Sequence, residues 1–278
     1  MSFSLAAYLH LVSLPIPPEP DADGLAIVQR AHRLAIPFEN LDVILGRPIA
    51  IDSASVAAKL VAARRGGYCF EQNRLFLDAL AALGFAARPV QARVWLGLDP
   101  VGGEVPPLTH VFALVTIDGQ QWIADAGFGG SYLPPLRLID GAEADSPDGA
   151  RHRVRRDGRG WMVERLGDAA FTDGRADGPG WQPQFGFDGA ETWPADLALA
   201  NHWVSTAPAS RFTQAPIVSI VLPRGFASLN GRAYRRATPA ETVSAEIASP
   251  KALRVRLSLL FGIDLAPEEV DGLGLFPQ

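Results

Sequence analysis

At Arg88 the hydrophobic rhythm of the chain changes, so the fold has to join a helical part to a β part. Upstream, apolar residues recur at helical spacing: Leu25, Val28 and Leu34, then Val56, Leu60 and Val61, then Phe70, Phe76, Leu77, Leu80 and Leu83. Downstream, Val90, Ala92, Val94, Leu96 and Leu98 alternate with Gln91, Arg93, Trp95 and Gly97, the period-two pattern of a half-buried strand over residues 88–98. Segregated helices and strands of this kind make an α+β protein.

Turn and cap residues divide the chain further. After a short first helix in MSFSLAAYLHLV, a helix begins near Asp52 or Ser53 and stops at Gly66-Gly67. The next begins at about Cys69 and ends at Gly84. Asp118-Gly119, Asp157-Gly158 and Asn230-Gly231 are hairpin signals, flanking strands over residues 109–117, 120–125, 161–166 and 217–222. Trp193-Pro194 opens a short helix, and Ser249-Pro250 caps another that ends at Gly262. The acidic, Gly-containing stretch 140–149 reads as a linker. The expected organisation is a helical bundle at 1–86, a β domain at 87–190 and a mixed C-terminal part at 191–278.

Bulk properties remove several function classes. A net charge of -5 argues against nucleic acid as the main partner, since that binding neutralises phosphates with Lys and Arg. No stretch approaches the roughly 18–20 apolar residues that cross a bilayer, and the N-terminus has neither a basic start nor a small-residue cleavage site, so a cytoplasmic location is expected. Cys69 is the only cysteine, which excludes an internal disulfide and a multi-cysteine metal knuckle; scattered histidines offer no zinc-ligand spacing, and no metal is expected.

A lone cysteine is most often a small buried hydrophobe. The setting Arg64-Arg65-Gly66-Gly67-Tyr68-Cys69 argues for more. It places the sulfur in the first turn of a helix, where the dipole and two arginines would favour a thiolate, and its glycines would let the backbone approach a ligand. A thiolate nucleophile needs a base, and the register supplies one. With Asp118-Gly119 as a two-residue turn, paired residues sum to 237, so Asp125 faces Phe112 and lies diagonally from His110 on the same face, about 7–8 Å between Cα atoms. A carboxylate so placed holds an imidazole in its useful tautomer.

Four segments then resemble the arylamine N-acetyltransferases: RGGYCFEQN around Cys69, THVFALVTIDGQQWIADAGFG with His110 and Asp125, IPFENLDVILGRP at 36–48 and NHWVSTAPASRF at 201–212. The resemblance runs in order from about residue 5 to 260. It implies a helical bundle, a central antiparallel β-barrel-like domain and a C-terminal α/β lid, with a cysteine-protease-like core of Cys69, His110 and Asp125. It also implies acetyl coenzyme A as the acyl donor, an aromatic amine, hydrazine or hydroxylamine as acceptor, and a ping-pong route through an acetyl-cysteine. Phe38, Phe128 and Phe212 match positions lining the acceptor cleft. Trp203 and Arg211 fall in the block that touches coenzyme A, where His202-Trp203 replaces a more usual aromatic pairing and Arg211 a small polar residue. The loop 99–108, with Gly102 and Gly103, leads to Thr109 and is placed to meet the pantetheine arm through its backbone.

Three other readings stay open: a cysteine hydrolase of transglutaminase or papain-like type, an amide synthase acting on an aromatic amine, and a binding module whose cysteine only packs. The one basic cluster, Arg151, His152, Arg153, Arg155, Arg156 and Arg159, reads as a solvated hairpin, with a coenzyme A phosphate site as the sharper alternative.

Overall fold

A computed structural model of the chain describes residues 3–100, 102–130, 132–172 and 178–276. The helices are α1 (Leu5–Leu11), α2 (Ala22–Ala35), α3 (Leu41–Ile44), α4 (Ser53–Val56), α5 (Cys69–Ala82), α6 (Pro194–Thr206), α7 (Pro250–Phe261) and α8 (Pro267–Gly272). The strands are β1 (Phe38–Glu39), β2 (Ala86–Val94), β3 (Leu108–Ile117), β4 (Gln120–Ala124), β5 (Leu136–Arg137), β6 (Glu143–Asp145), β7 (Arg151–Asp157), β8 (Gly160–Leu166), β9 (Gln182–Phe187), β10 (Ile217–Leu222), β11 (Gly225–Asn230), β12 (Ala233–Ala237) and β13 (Thr242–Glu246). One antiparallel sheet has the order β5-β4-β3-β2-β9-β8-β7-β6, and a smaller one β1-β10-β11-β12-β13.

The larger sheet curls until it nearly closes. Past β5, the Val154 N–H donates to Ala142 O (3.0 Å) and the Gly141 N–H to Val154 O (2.9 Å). This corrects the reading of 140–149 as a linker: the segment carries β6 and supplies the seam of the barrel. Its polar side chains belong to an edge strand, where one face meets water.

The β3–β4 hairpin has the expected register, Ile117 opposite Gln120 and Ala113 opposite Ala124, around Asp118 (φ 48°) and Gly119 (φ 75°). Two positive φ values match the right-handed twist of the strands. In the other two hairpins the turn centre sits one residue later, since Asp157 pairs with Gly160 and Asn230 with Ala233. β2 stops at Val94, short of Leu98, because Gly97 (φ 72°) and a bond from the Leu98 N–H to Trp95 O turn the chain. The helix from Ser53 widens into a π-helical segment at Ala57–Ala62.

The turn of that segment exposes Lys59 to an ion network. Its Nζ lies 2.8 Å from Asp42 Oδ2 and 2.7 Å from Glu71 Oε1. Arg65 bonds Glu39 and Asp42, and Glu71 caps α5 by accepting from the Tyr68 N–H (3.1 Å). Glu39 and Glu71 are buried, so their charges depend on these cations. Lys59→Met, which strands the Glu71 carboxylate, is expected to cost about 3 kcal/mol of stability, because removing one partner leaves a buried charge uncompensated. Arg74→Ala, which breaks an exposed pair with Asp78, should cost less than about 0.5 kcal/mol. Urea unfolding of the two variants checks the contrast, and equal costs would contradict it.

Candidate active site

Cys69 is the first residue of α5, with Tyr68 as its N-cap. The Arg-Arg-Gly-Gly sequence before it works differently from its sequence reading. Arg65 is spent on Glu39 and Asp42, and Arg64 is exposed, so neither charge serves the sulfur. The glycines meet protein and not ligand: a Cβ on Gly66 would sit 2.3 Å from Pro37 O, and one on Gly67 2.7 Å from Glu71 Oε2. They let the chain pass between β1 and the capping carboxylate.

The thiol is buried and donates to Thr109 O at 3.7 Å. Burial pushes its pKa up, with the Asp125 charge adding to the rise. The backbone N–H groups of Phe70, Val111 and Cys69 itself oppose it. The balance at this site favours the neutral thiol.

His110 on β3 donates from Nε2 to Asp125 Oδ2 at 2.6 Å, the same-face pairing that the hairpin register requires. That bond leaves Nδ1 as the basic nitrogen. The ring is held between Phe128 and Phe185, with centroids 5.1 and 5.2 Å away. Burial alone would raise the Asp125 carboxyl, but the His110 ring, the Gly127 N–H (2.8 Å) and Asn73 (3.1 Å) outweigh it and hold the group below the usual carboxylate range.

Asn73 and Gln29 escaped the sequence reading. Asn73 Nδ2 donates to Val111 O (2.7 Å) and Asp125 Oδ1, and its Oδ1 accepts from the Ala126 N–H (3.1 Å). Gln29 Oε1 accepts from the Asp125 N–H (3.0 Å). Asn73 did leave a signal: it lies four residues after Cys69, hence on the same helix face. Gln29, on another helix, left none. Close approach is completed by Gly127, where a Cβ would sit 2.5 Å from Asn73 Nδ2 and 2.8 Å from Cys69 Cα.

Cys69 and His110 open on a cleft of about 410 Å³. Phe38, Phe128 and Phe212 line it, as do Thr109, Trp203 and Arg211; Val94, Leu96, Leu98 and Pro107 add apolar wall. Pro107, Thr109 and Trp203 also face a neighbouring pocket of about 570 Å³. Gly102 and Gly103 do not reach the cleft: their N–H groups donate within the loop, to Asp99 Oδ2 (3.2 Å) and Asp99 O (3.1 Å). The Arg151–Arg159 hairpin stands apart from the cleft, and its guanidiniums pack on rings: Arg153 on Trp181, Arg156 on Trp161, Arg159 on Trp95. His152 is buried, and its burial and then Arg165 push it down to about 3. Among the described residues no group of His, Cys, Asp and Glu is arranged to hold a metal, and no helix is long and apolar enough to cross a membrane.

The sequence profile of a family described as N-acetyltransferase matches residues 21–270. The arylamine N-acetyltransferase of Escherichia coli K12 is 38% identical over 204 residues, 73% of this chain and 68% of that protein. Among solved structures, the arylamine N-acetyltransferase of Salmonella typhimurium superposes with a TM-score of 0.88 at 31% identity, covering 99% of this chain and 100% of that one. The Mycobacterium marinum enzyme in complex with CoA superposes with a TM-score of 0.85 at 28% identity, covering 96% and 97%.

Because its pKa is lowered in the fold, Asp125 takes up its proton more readily in the unfolded chain, so its contribution to stability is lost as pH falls below about 4. Asp125→Asn removes that contribution. Urea midpoints measured from about pH 5 to pH 3 should fall less steeply for the variant than for wild type. Parallel slopes would contradict the assignment.

Proposed function

Because the chain belongs to the arylamine N-acetyltransferase family, we propose that its cleft transfers an acetyl group from acetyl coenzyme A to the nitrogen of an arylamine, arylhydrazine or arylhydroxylamine, with Cys69 as the covalent carrier. The enzyme is an acyltransferase. The observation that carries the mechanism is the 2.6 Å bond from His110 to Asp125 beside a cysteine in the first turn of a helix.

In this reading His110 Nδ1 takes the Cys69 proton, and the thiolate sulfur forms a bond to the acetyl carbonyl carbon. The C–S bond of the donor then breaks, and its thiol leaves with the proton returned by the imidazolium. An amine next attacks the acetyl-cysteine, loses a proton to His110 and expels the sulfur. Asp125 holds the ring and stabilises its charged form. Backbone N–H groups at the start of α5, including that of Cys69, face the carbonyl oxygen as charge develops there. Phe38, Phe128 and Phe212 take the aromatic ring, and the apolar walls keep water from the thioester.

The two neighbouring pockets, which share Pro107, Thr109 and Trp203, suit an elongated donor whose thioester end reaches Cys69 past Thr109, Trp203 and Arg211. Residues 1–86 then supply the nucleophile, 87–190 the base and its carboxylate, and 191–278 the cover. A cytoplasmic site of action accords with these substrates.

Acetyl coenzyme A alone should add one acetyl group to the peptide carrying Cys69 and release coenzyme A in a burst; an added arylamine should discharge it, as intact mass will show. Cys69→Ser, close in size, should keep the fold and lose all but about a tenth of transfer or less. Coenzyme A release that requires the amine would contradict the ping-pong order. Hydrolysis without transfer would favour the cysteine hydrolase, and loading only from a larger acyl thioester the amide synthase.

A further inference from the structure

The arginine hairpin, which the transfer mechanism leaves unused, reaches the active site through the loop between β2 and β3. Leu96, Leu98 and Pro107 of this loop form one wall of the cleft. Leu98 and Val105 are also partly exposed to solvent, and two guanidiniums hold the loop, one near its middle and one near its end. Arg159, in the β7–β8 turn, donates from Nη2 to Pro100 O and lies over the Trp95 ring at 5.5 Å. Arg93 on β2 donates from Nη1 to Pro106 O at 2.7 Å. Asp157 fixes the turn itself, accepting from the Arg159 N–H at 2.7 Å.

A small pocket of about 80 Å³ lies against the loop, lined by Trp95, Val105 and Leu108, by Trp161, Met162 and Phe187, and by the Arg93, Asp157 and Arg159 side chains themselves. The Trp95 ring is buried, so Arg159 stacks on a fixed platform.

We propose that Arg159, assisted by Arg93, is a positioning residue for acyl transfer: it clamps the described loop residues 95–100 and 102–107 so that Leu96, Leu98 and Pro107 stand ready as the cleft wall. This rests on the acetyltransferase reading of the cleft. Releasing the clamp lowers the fraction of molecules whose wall is in place, and the apparent affinity for cleft ligands drops by that fraction. The chemistry at Cys69 is untouched, because neither arginine contacts the triad. Arginine is required in particular: a lysine ammonium can still donate to a carbonyl but has no planar group to stack on the indole.

The test compares wild type, Arg159→Ala and Arg159→Lys. Arg159→Ala should raise the KM for acetyl coenzyme A or the arylamine roughly tenfold with kcat within about twofold, and Arg159→Lys should fall between it and wild type. A second readout does not need acetyl transfer. The rate of Cys69 labelling by a bulky maleimide, divided by that by iodoacetamide, should rise several-fold in Arg159→Ala as the wall loosens. A protein that labels this way but transfers no acetyl group would overturn the acetyltransferase reading and leave the clamp standing. Unchanged KM values and an unchanged labelling ratio, with or without a drop in Tm, would overturn the clamp. Should Arg159→Ala fail to fold, Arg159→Lys carries the same two readouts, and wild-type values in both would overturn the proposal.

Discussion

Everything at the active centre hangs on the Asn73 side chain. One primary amide donates to Val111 O and to the Asp125 carboxylate and accepts from the Ala126 N–H, so it ties the helix that carries Cys69 to the strand that carries His110 and to the segment after β4 that carries Asp125. Each bond contributes on the order of 1 kcal/mol, yet leaving any of these buried groups unpaired costs more. The same logic extends outward. Gln72, the preceding residue, bonds Pro37 O, Gly67 O and His32, whose other ring nitrogen meets the Tyr8 hydroxyl. Burial pushes His32 down to about 4, so it works as a neutral connector.

The position of Cys69 is thus over-determined while its ionisation is opposed. Desolvation raises the thiol, and the arginines preceding it serve the Glu39–Asp42–Lys59–Glu71 network. Their work is mechanical: they fix the start of α5, and with it the N–H groups at its first turn. In the proposed mechanism ionisation comes from proton transfer to His110, whose ring is hydrogen-bonded to the Asp125 carboxylate.

How much of this the sequence disclosed follows from what kind of contact was involved. The His110–Asp125 pairing was legible because a two-residue turn fixes register and register fixes faces. Helix starts at Cys69 and Pro250 were legible through local caps and glycine stops. By contrast, Arg65 looked like a partner for sulfur because Cys69 is near in sequence, whereas Glu39 is near only in space. The barrel seam at 140–149 was hidden for a related reason: a short edge strand with one wet face has a polar composition that also suits a linker. Gln29, the π-helical segment and the loop clamp by Arg159 likewise depend on long-range contacts, for which a single chain prints no pattern.

The central claim is that the Cys69 proton passes to His110 within a pair that Asp125 stabilises. Its most direct test is the ultraviolet absorbance of the thiolate, followed against pH in wild type and in His110→Ala. The account predicts thiolate absorbance already present at about pH 6 in the wild type, where a free thiol is less than about 1% ionised, and absent from the variant until pH rises above the ordinary cysteine range of about 8.5. Superimposable titrations of the two proteins would contradict it.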